Sequence, residues 1–394
     1  MSQIFSLQGA RKIIFGCGSV SQIAQEAKFL KGTKVLLVVD QQIAQLNLMD
    51  KVIAPLKGSD LPVVVYSGVL PEPSPQMAED AAVMAKTNGC DLVIGLGGGS
   101  ALDVAKAAAM LVVHGGKIEQ YAGQDLVPGP GLPTIMIPTT AGTGSEVTRT
   151  SVFTFREQKR KAGVNSPHLY PLTAVLDPEL TYTVPPLVTA YTGMDALTHA
   201  IESFTSNAAN PITDVYSLRA IELIAQSLRP AVLNGKDAKA RENMLMGSLL
   251  AGLGLTGSGV GAAHALAYPL GAEYGLPHGL ANAFLLAEVM EFNHVVNLEK
   301  FAQITWAMGE NTDDLSVRQA AAMASELVTE LFEDIGLDRQ LYETRIPPSR
   351  YPELAVEAMK VTRPVENNPR LINAEQAVGI YEAVFGEEDF DEVG

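Results

Sequence analysis

Cysteine is almost missing from this chain: only Cys17 and Cys90 occur in 394 residues, each beside a glycine. Neither a disulfide framework nor a C-x-x-C zinc or redox motif is available, and a reducing cytoplasm fits that scarcity. Cations are also few, 28 Lys and Arg against 44 Asp and Glu for a formal net charge of −16. With no basic cluster, nothing draws the chain to nucleic-acid phosphates or anionic lipid. No apolar run approaches membrane-spanning length without a charge, and the N-terminal "MSQIFSLQGARKIIFG" lacks a basic start followed by an apolar core. The expectation is a soluble cytoplasmic protein with neither nucleic acid nor membrane as partner.

What is present is apolar: 47% of the residues are hydrophobic, more than one ordinary core takes up, which predicts two domains. The first half alternates β-rich runs, "KVLLVVD", "PVVVYSG", "DLVIGLGGG", "PTIMIPTT" and "TAVLDPEL", with helical patterns from Pro75 to Asn88 and from Ser100 to His114. Buried parallel strands joined by crossover helices read this way. Pro185 and Pro186 break the pattern, and long helical stretches follow: Val188 to Thr205, Pro211 to Ser227 and Ala238 to Gly252. The expected fold is an α/β domain with a parallel sheet over 1–185 and an all-α domain over 186–394. The tail "GEEDFDEVG" reads as a solvated, frayed end.

"GMDALTHAIE" puts Asp195 and His199 four residues apart in an otherwise apolar helix, so both side chains project from one face. Such a pair is commonly just a polar couple. Downstream, "GAAHALAYPLGAEYGLPHGLANA" adds His264 in a helical context and His278 in a loop framed by Pro277 and Gly279. One oxygen and three nitrogen donors suffice for a divalent ion with a position left open for substrate. A core role for His264 and a turn-capping role for His278 remain open. His114, His168 and His294 lack partner spacing and receive no role.

"GLGGGSALDVAKA" follows a strand and opens a helix. Gly97, Gly98 and Gly99 let backbone approach a phosphate, Ser100 adds a hydroxyl, Asp103 lies in the first turn, and the helix N-terminus attracts the anion. The third glycine of G-x-G-x-x-G is replaced by Ser100, so an ordinary Rossmann unit is a poor match. "PTTAGTGSEVT" interleaves Thr139, Thr140, Thr143 and Ser145 with glycines, well suited to phosphate and ribose contacts. Asp40, at the end of "VLLVVD", can accept both adenine-ribose hydroxyls or cap the helix beginning at Gln41; the sequence leaves both readings open.

"TGMDALTHAIES" with "HALAYPLGAEYGLPHG" resembles the paired signatures of the iron-containing (group III) alcohol dehydrogenases. The likeness runs from "IIFGCGSVSQI" to "NNPRLINAEQAVGIYEAVF". It implies that Asp195, His199, His264 and His278 bind a catalytic metal, Fe²⁺ with Zn²⁺ as the alternative. It also implies that the glycine-rich turn and the threonine loop hold a dinucleotide, with Asp40 favouring NAD over NADP. By resemblance alone, Lys161 lies along the nucleotide, Leu180 near its adenine, and Thr150 and Leu255 at the substrate pocket. Many family members carry a second histidine four residues after the first; here Tyr268 stands in its place, either joining a proton relay with His278 or shaping the cavity.

The implied activity is reversible hydride transfer between a small alcohol and NAD, by a homodimer or larger homo-oligomer. Dehydroquinate synthase-like, glycerol dehydrogenase-like and maleylacetate reductase-like activities are rivals on the same scaffold. An anionic substrate needs Lys or Arg near the metal, and the quoted ligand segments contain none.

Overall fold

In the computed structural model, which describes residues 4–46, 48–158, 160–338 and 346–386, the alternating pattern of the first half becomes a parallel sheet. Among the described residues the strands are β1 (Lys12–Phe15), β2 (Val35–Asp40), β3 (Val63–Val69), β4 (Leu92–Gly97), β5 (Gly123–Gln124), β6 (Thr134–Pro138), β7 (Thr150–Phe155), β8 (Arg160–Asn165) and β9 (Thr173–Leu176). Six of them form one parallel sheet in the order β1-β9-β6-β4-β2-β3, and β5-β8-β7 form a small second sheet. The helices of this half are α1 (Ile23–Phe29), α2 (Gln41–Gln45), α3 (Leu48–Lys57), α4 (Pro75–Asn88) and α5 (Gly99–His114).

Apolar residues on both faces of β2 explain the layering. Leu36 and Val38 pack with Ala78, Ala81 and Leu102 from α4 and α5, while Val35, Leu37 and Val39 pack with Ile23, Val52 and Leu56 from α1 and α3. A strand covered on both sides reads as an unbroken hydrophobic run. α4 keeps its sequence-predicted bounds, with Pro75 in the first turn and Gly89 closing it in the left-handed region at φ 66°.

The chain divides into two compact units: one is Ser6–Val184 with Gly235–Leu245, the other is built on Pro185–Asn234 and the chain from Met246 onward. The segment 235–245, expected with the helical half, groups instead with the first unit, where the Arg241 guanidinium donates to the carbonyls of Val184 (3.1 Å) and Gly235 (3.1 Å). The remaining helices are α6 (Pro186–Thr205), α7 (Pro211–Leu233), α8 (Ala238–Ser258), α9 (Ala262–Tyr274), α10 (His278–Asn293), α11 (Leu298–Ala307), α12 (Val317–Asp334), α13 (Tyr351–Met359), α14 (Thr362–Asn367) and α15 (Ala374–Phe385). Pro186 does not interrupt this region; it occupies the first turn of α6, where a missing N–H costs nothing.

α6 packs against α7 and α10, and α10 against α9. No single helix among the described residues is long and apolar enough to cross a membrane. The acidic tail beyond Gly386 lies outside the described residues.

Two features carried weak sequence signals. β1 is a four-residue edge strand, and β7 and β8 form an antiparallel pair rich in polar residues. A third concerns topology: the chain leaves β2 toward β3 on one side and leaves β4 toward β6 on the other, so the connections from these two adjacent strands run in opposite directions. That arrangement opens a crevice at the carboxyl ends of β2 and β4. The doubly wound geometry is therefore present although its glycine fingerprint is incomplete.

Candidate metal centre and nucleotide crevice

α6 carries Asp195 and His199 one turn apart, within a stretch buried from Gly193 to Thr205. His264 comes from the first turn of α9, and His278 opens α10 rather than sitting in a loop, with Pro277 as its N-cap. The glycine after His278 has a steric reason. A Cβ on Gly279 would sit 2.5 Å from the Tyr191 carbonyl oxygen and 3.1 Å from the Asp195 Cβ, so only glycine lets α10 begin directly on α6.

One donor atom from each of Asp195, His199 and His264 lies within 4.8 Å of the others, and these residues are only 3, 6 and 2% exposed. The His199 and His264 rings stack at 4.7 Å, and His278 meets His264 edge-on at 5.3 Å. Tyr268 stacks on His278 at 5.6 Å with an interplanar angle of 10°. Burial pushes the Tyr268 phenol up, and the charges of Glu202 and Asp195 push it further.

Two residues that sequence reasoning did not single out complete the cluster. Glu202 accepts from Nδ1 of His264 at 2.6 Å and from the Ala263 N–H at 2.7 Å. Asn282 Nδ2 donates to Asp195 Oδ1 at 2.8 Å and lies 3.1 Å from His264 Nε2 and 3.4 Å from His278 Nε2. Their signals were present: Glu202 stands seven residues after Asp195, two turns along the same face, and Asn282 four after His278. Both were masked by the apolar character of their helices.

The electrostatics suit a cation. Burial alone would raise the Asp195 carboxyl, but His199, His278, His264 and the Asn282 amide together hold it below the usual carboxylate value. For His264 burial acts downward and is outweighed by Glu202 and Asp195, leaving the imidazole raised. Asn282 Oδ1 is buried and has no hydrogen-bond partner among the described residues. Two buried imidazoles and a buried carboxylate, with the half-buried His278 beside them, fit a divalent ion with mixed N and O preference.

In the other unit, several of the expected nucleotide contacts gather at the carboxyl ends of β2, β4 and β6. Asp40 ends β2 and caps α2, its Oδ1 accepting from the Ile43 N–H at 2.7 Å. Its other oxygen faces Gly97, where an added Cβ would come within 2.6 Å. The two carboxylate oxygens thus point in different directions. Burial raises the Asp40 carboxyl, opposed by neighbouring backbone N–H groups.

Gly97 has φ 149°, and its carbonyl accepts from the Thr139 N–H at 3.0 Å. Gly98 is the N-cap of α5, within 3.5 Å of Thr140 Oγ1 measured from an added Cβ, and Ser100 lies in the first turn. A Cβ on Gly99 would collide with Thr143 at 2.6 Å. The two motifs thus fit each other.

Other expected contacts are otherwise engaged. Asp103 accepts from Ser145 Oγ at 2.5 Å and from the Val152 N–H at 2.8 Å, so this pair ties α5 to the threonine loop. Lys161 is buried in an ion pair with Glu72, and Leu180 is buried in the core beside Val39 and Leu96. Thr150 donates to Asn165 across β7 and β8, and Leu255 lies on α8 in the other unit.

Comparisons with known proteins point the same way. Residues 10–178 match the family description "Iron-containing alcohol dehydrogenase", and residues 189–385 match "Fe-containing alcohol dehydrogenase family, C-terminal". The chain is 41% identical over 373 residues to long-chain-alcohol dehydrogenase 1 of Geobacillus thermodenitrificans, covering 94% of each chain. It is 39% identical to the 1,3-propanediol dehydrogenase of Citrobacter freundii, over 94% of this chain and 96% of that one. The solved alcohol dehydrogenase of Oenococcus oeni superposes with a TM-score of 0.94 at 36% identity, covering 97% of this chain and 100% of that one.

Proposed function

The chain belongs to the iron-containing alcohol dehydrogenase family and is an NAD-dependent alcohol oxidoreductase, and from that premise we propose that Asp195, His199, His264 and His278 hold its catalytic cation. The observation that carries this reading is the convergence of the Asp195, His199 and His264 donor atoms within 4.8 Å in a buried pocket. Fe²⁺ is the proposed ion, in keeping with the family, although raw affinity favours Zn²⁺. When bound, the ion supplies Lewis acidity to the oxygen of an alcohol or carbonyl substrate, and NAD(H) supplies the hydride acceptor or donor.

The protein's own groups orient and exclude. The backbone N–H groups opening α5 at Gly98–Ser100 receive the diphosphate, and Asp40 accepts the adenine-ribose hydroxyls. Thr139, Thr140 and Thr143 line the same crevice. Lys161 and Leu180 along the nucleotide, and Thr150 and Leu255 at the substrate, rest on the family likeness. Asp103 and Ser145 act by holding the threonine loop against α5. Tyr268, stacked on His278, walls the pocket and offers its hydroxyl as a hydrogen-bond donor in proton exchange.

α6, α9 and α10 carry no lysine or arginine, which favours a neutral alcohol or aldehyde over the anionic substrates of dehydroquinate synthase-like and maleylacetate reductase-like activities. Primary alcohols and diols of the kind named for the relatives are the proposed substrates. The proposed setting is the cytoplasm, and the proposed assembly is a homodimer or larger. The test is NADH consumption with short, branched, hydroxy- and aryl-aldehydes after loading with Fe²⁺ or Zn²⁺. Turnover should require the loaded metal; equal rates in chelator-stripped enzyme would refute the assignment.

Asp40→Gly should raise the NADPH-to-NADH ratio of kcat/KM about tenfold or more, because the carboxylate no longer repels the extra phosphate. Glycine at an N-cap costs only about a few tenths of a kcal/mol, so stability should barely change. An unaltered ratio removes Asp40 from coenzyme selection.

A further inference from the structure

We infer that Glu202 is a positioning residue of the metal centre: one carboxylate oxygen anchors the start of α9, and the other fixes His264 in the tautomer that leaves Nε2 bare. The inference rests on His264 being a ligand.

Each oxygen of Glu202 has one job. Oε1 accepts the Ala263 N–H at 2.7 Å, and Oε2 accepts Nδ1–H of His264 at 2.6 Å. The site is dry, with the side chains of His264 and Glu202 only 2% and 5% exposed, so water does not compete. A carboxylate is also well placed against the positive end of a helix. Gly261 makes room for it, since a Cβ there would lie 3.1 Å from Oε1.

The next N–H, of Ala262, goes to Asn368 Oδ1 at 3.3 Å, and Asn368 is paired with Asn293 through two 2.8 Å bonds. The first turn of α9 is thus fixed from two sides, and His264 lies in that turn.

Tautomer control follows from acceptor chemistry. A carboxylate only accepts, so His264 must carry its proton on Nδ1, and Nε2 presents a lone pair toward Asn282 Nδ2 and Asp195. The opposite tautomer would set an Nδ1 lone pair against the carboxylate and aim an N–H at the other donors. Glutamine has nearly the same shape but cannot do both jobs. Accepting from Ala263 turns its NH₂ toward Nδ1, which selects the wrong tautomer; accepting from Nδ1 sets that NH₂ against the Ala263 N–H.

The experiment measures Co²⁺ and Zn²⁺ affinity of the full chain by chelator competition, with the visible Co²⁺ spectrum and the melting temperature of each variant. Glu202→Gln should weaken both metals about 10- to 100-fold and shift the Co²⁺ bands. Glu202→Asp, which remains an acceptor but reaches less far, should lose less. If Glu202→Gln binds within about twofold of wild type with unchanged bands while His264→Ala loses the metal, Glu202 merely braces α9 and the inference falls. If His264→Ala also binds normally, the ligand assignment falls with it. Should Glu202→Gln fail to fold, Glu202→Ala, which removes the acceptor altogether, decides: wild-type affinity and spectrum in that variant overturn the inference.

Discussion

His264→Ala is expected to lose its metal on dialysis and to reduce kcat for aldehyde reduction roughly 10³-fold or more. Lewis-acid stabilisation of a developing oxyanion contributes several kcal/mol, and about 1.4 kcal/mol corresponds to a factor of ten. The donor set is small enough that one missing imidazole leaves it incomplete. The substitution also strands Glu202, whose Oε2 loses the Nδ1–H donor at 2.6 Å. A drop of about 1 to 3 kcal/mol in stability should therefore accompany the lost activity.

Metal uptake by the wild type should weaken as pH falls. A proton competes for the same imidazole, and the raised value of His264 means competition begins above the ordinary histidine range. Elemental analysis after dialysis and steady-state rates at saturating NADH check both points. Stoichiometric metal with about a tenth or more of wild-type activity would remove His264 from the centre.

The second large effect concerns stability. Lys106→Met should destabilise the first unit by about 3 to 5 kcal/mol, lowering the melting temperature by roughly 10 °C. Lys106 has a side chain with no exposure, 3.2 Å from Asp103 Oδ1, and donates to the carbonyls of Ser145 (3.0 Å) and Thr150. Methionine keeps the stem but leaves a buried carboxylate and two carbonyls without their cation.

The loss should deepen with pH. Burial lifts Glu146 from 4.5 to about 7, against the opposing pull of a backbone N–H and Lys106. A carboxyl raised in the folded state contributes stability that is full below its unfolded value and is lost as pH rises through the folded one. Removing Lys106 raises the folded value further, so the variant should suffer more at pH 8 than at pH 5. A melting temperature within about 2 °C of wild type at both pH values would show that the ammonium is dispensable.

Both predictions involve side chains whose types were legible but whose partners were not. Asp103 was expected at the nucleotide, yet it is Ser145 and Val152, more than 40 residues along, that occupy its oxygens. Glu202 stood in plain view in "GMDALTHAIE", and only the arrival of α9 gave it a role. The small sheet of β5, β7 and β8 escaped for a different reason: its strands are short and polar, with little apolar periodicity to mark them.

By itself the sequence determined what covalent geometry and local patterning control. Apolar runs specified strands buried on both faces, Pro75 and Gly89 bounded α4, and four-residue spacing placed Asp195 and His199 on one side of α6. Tertiary structure alone decided that His264 and His278 would meet them. That outcome depends on α10 resting on α6 at Gly279, and on α9 being held at its first turn by Glu202 and Asn368. Such long-range packing has no period along the chain, so no local pattern records it.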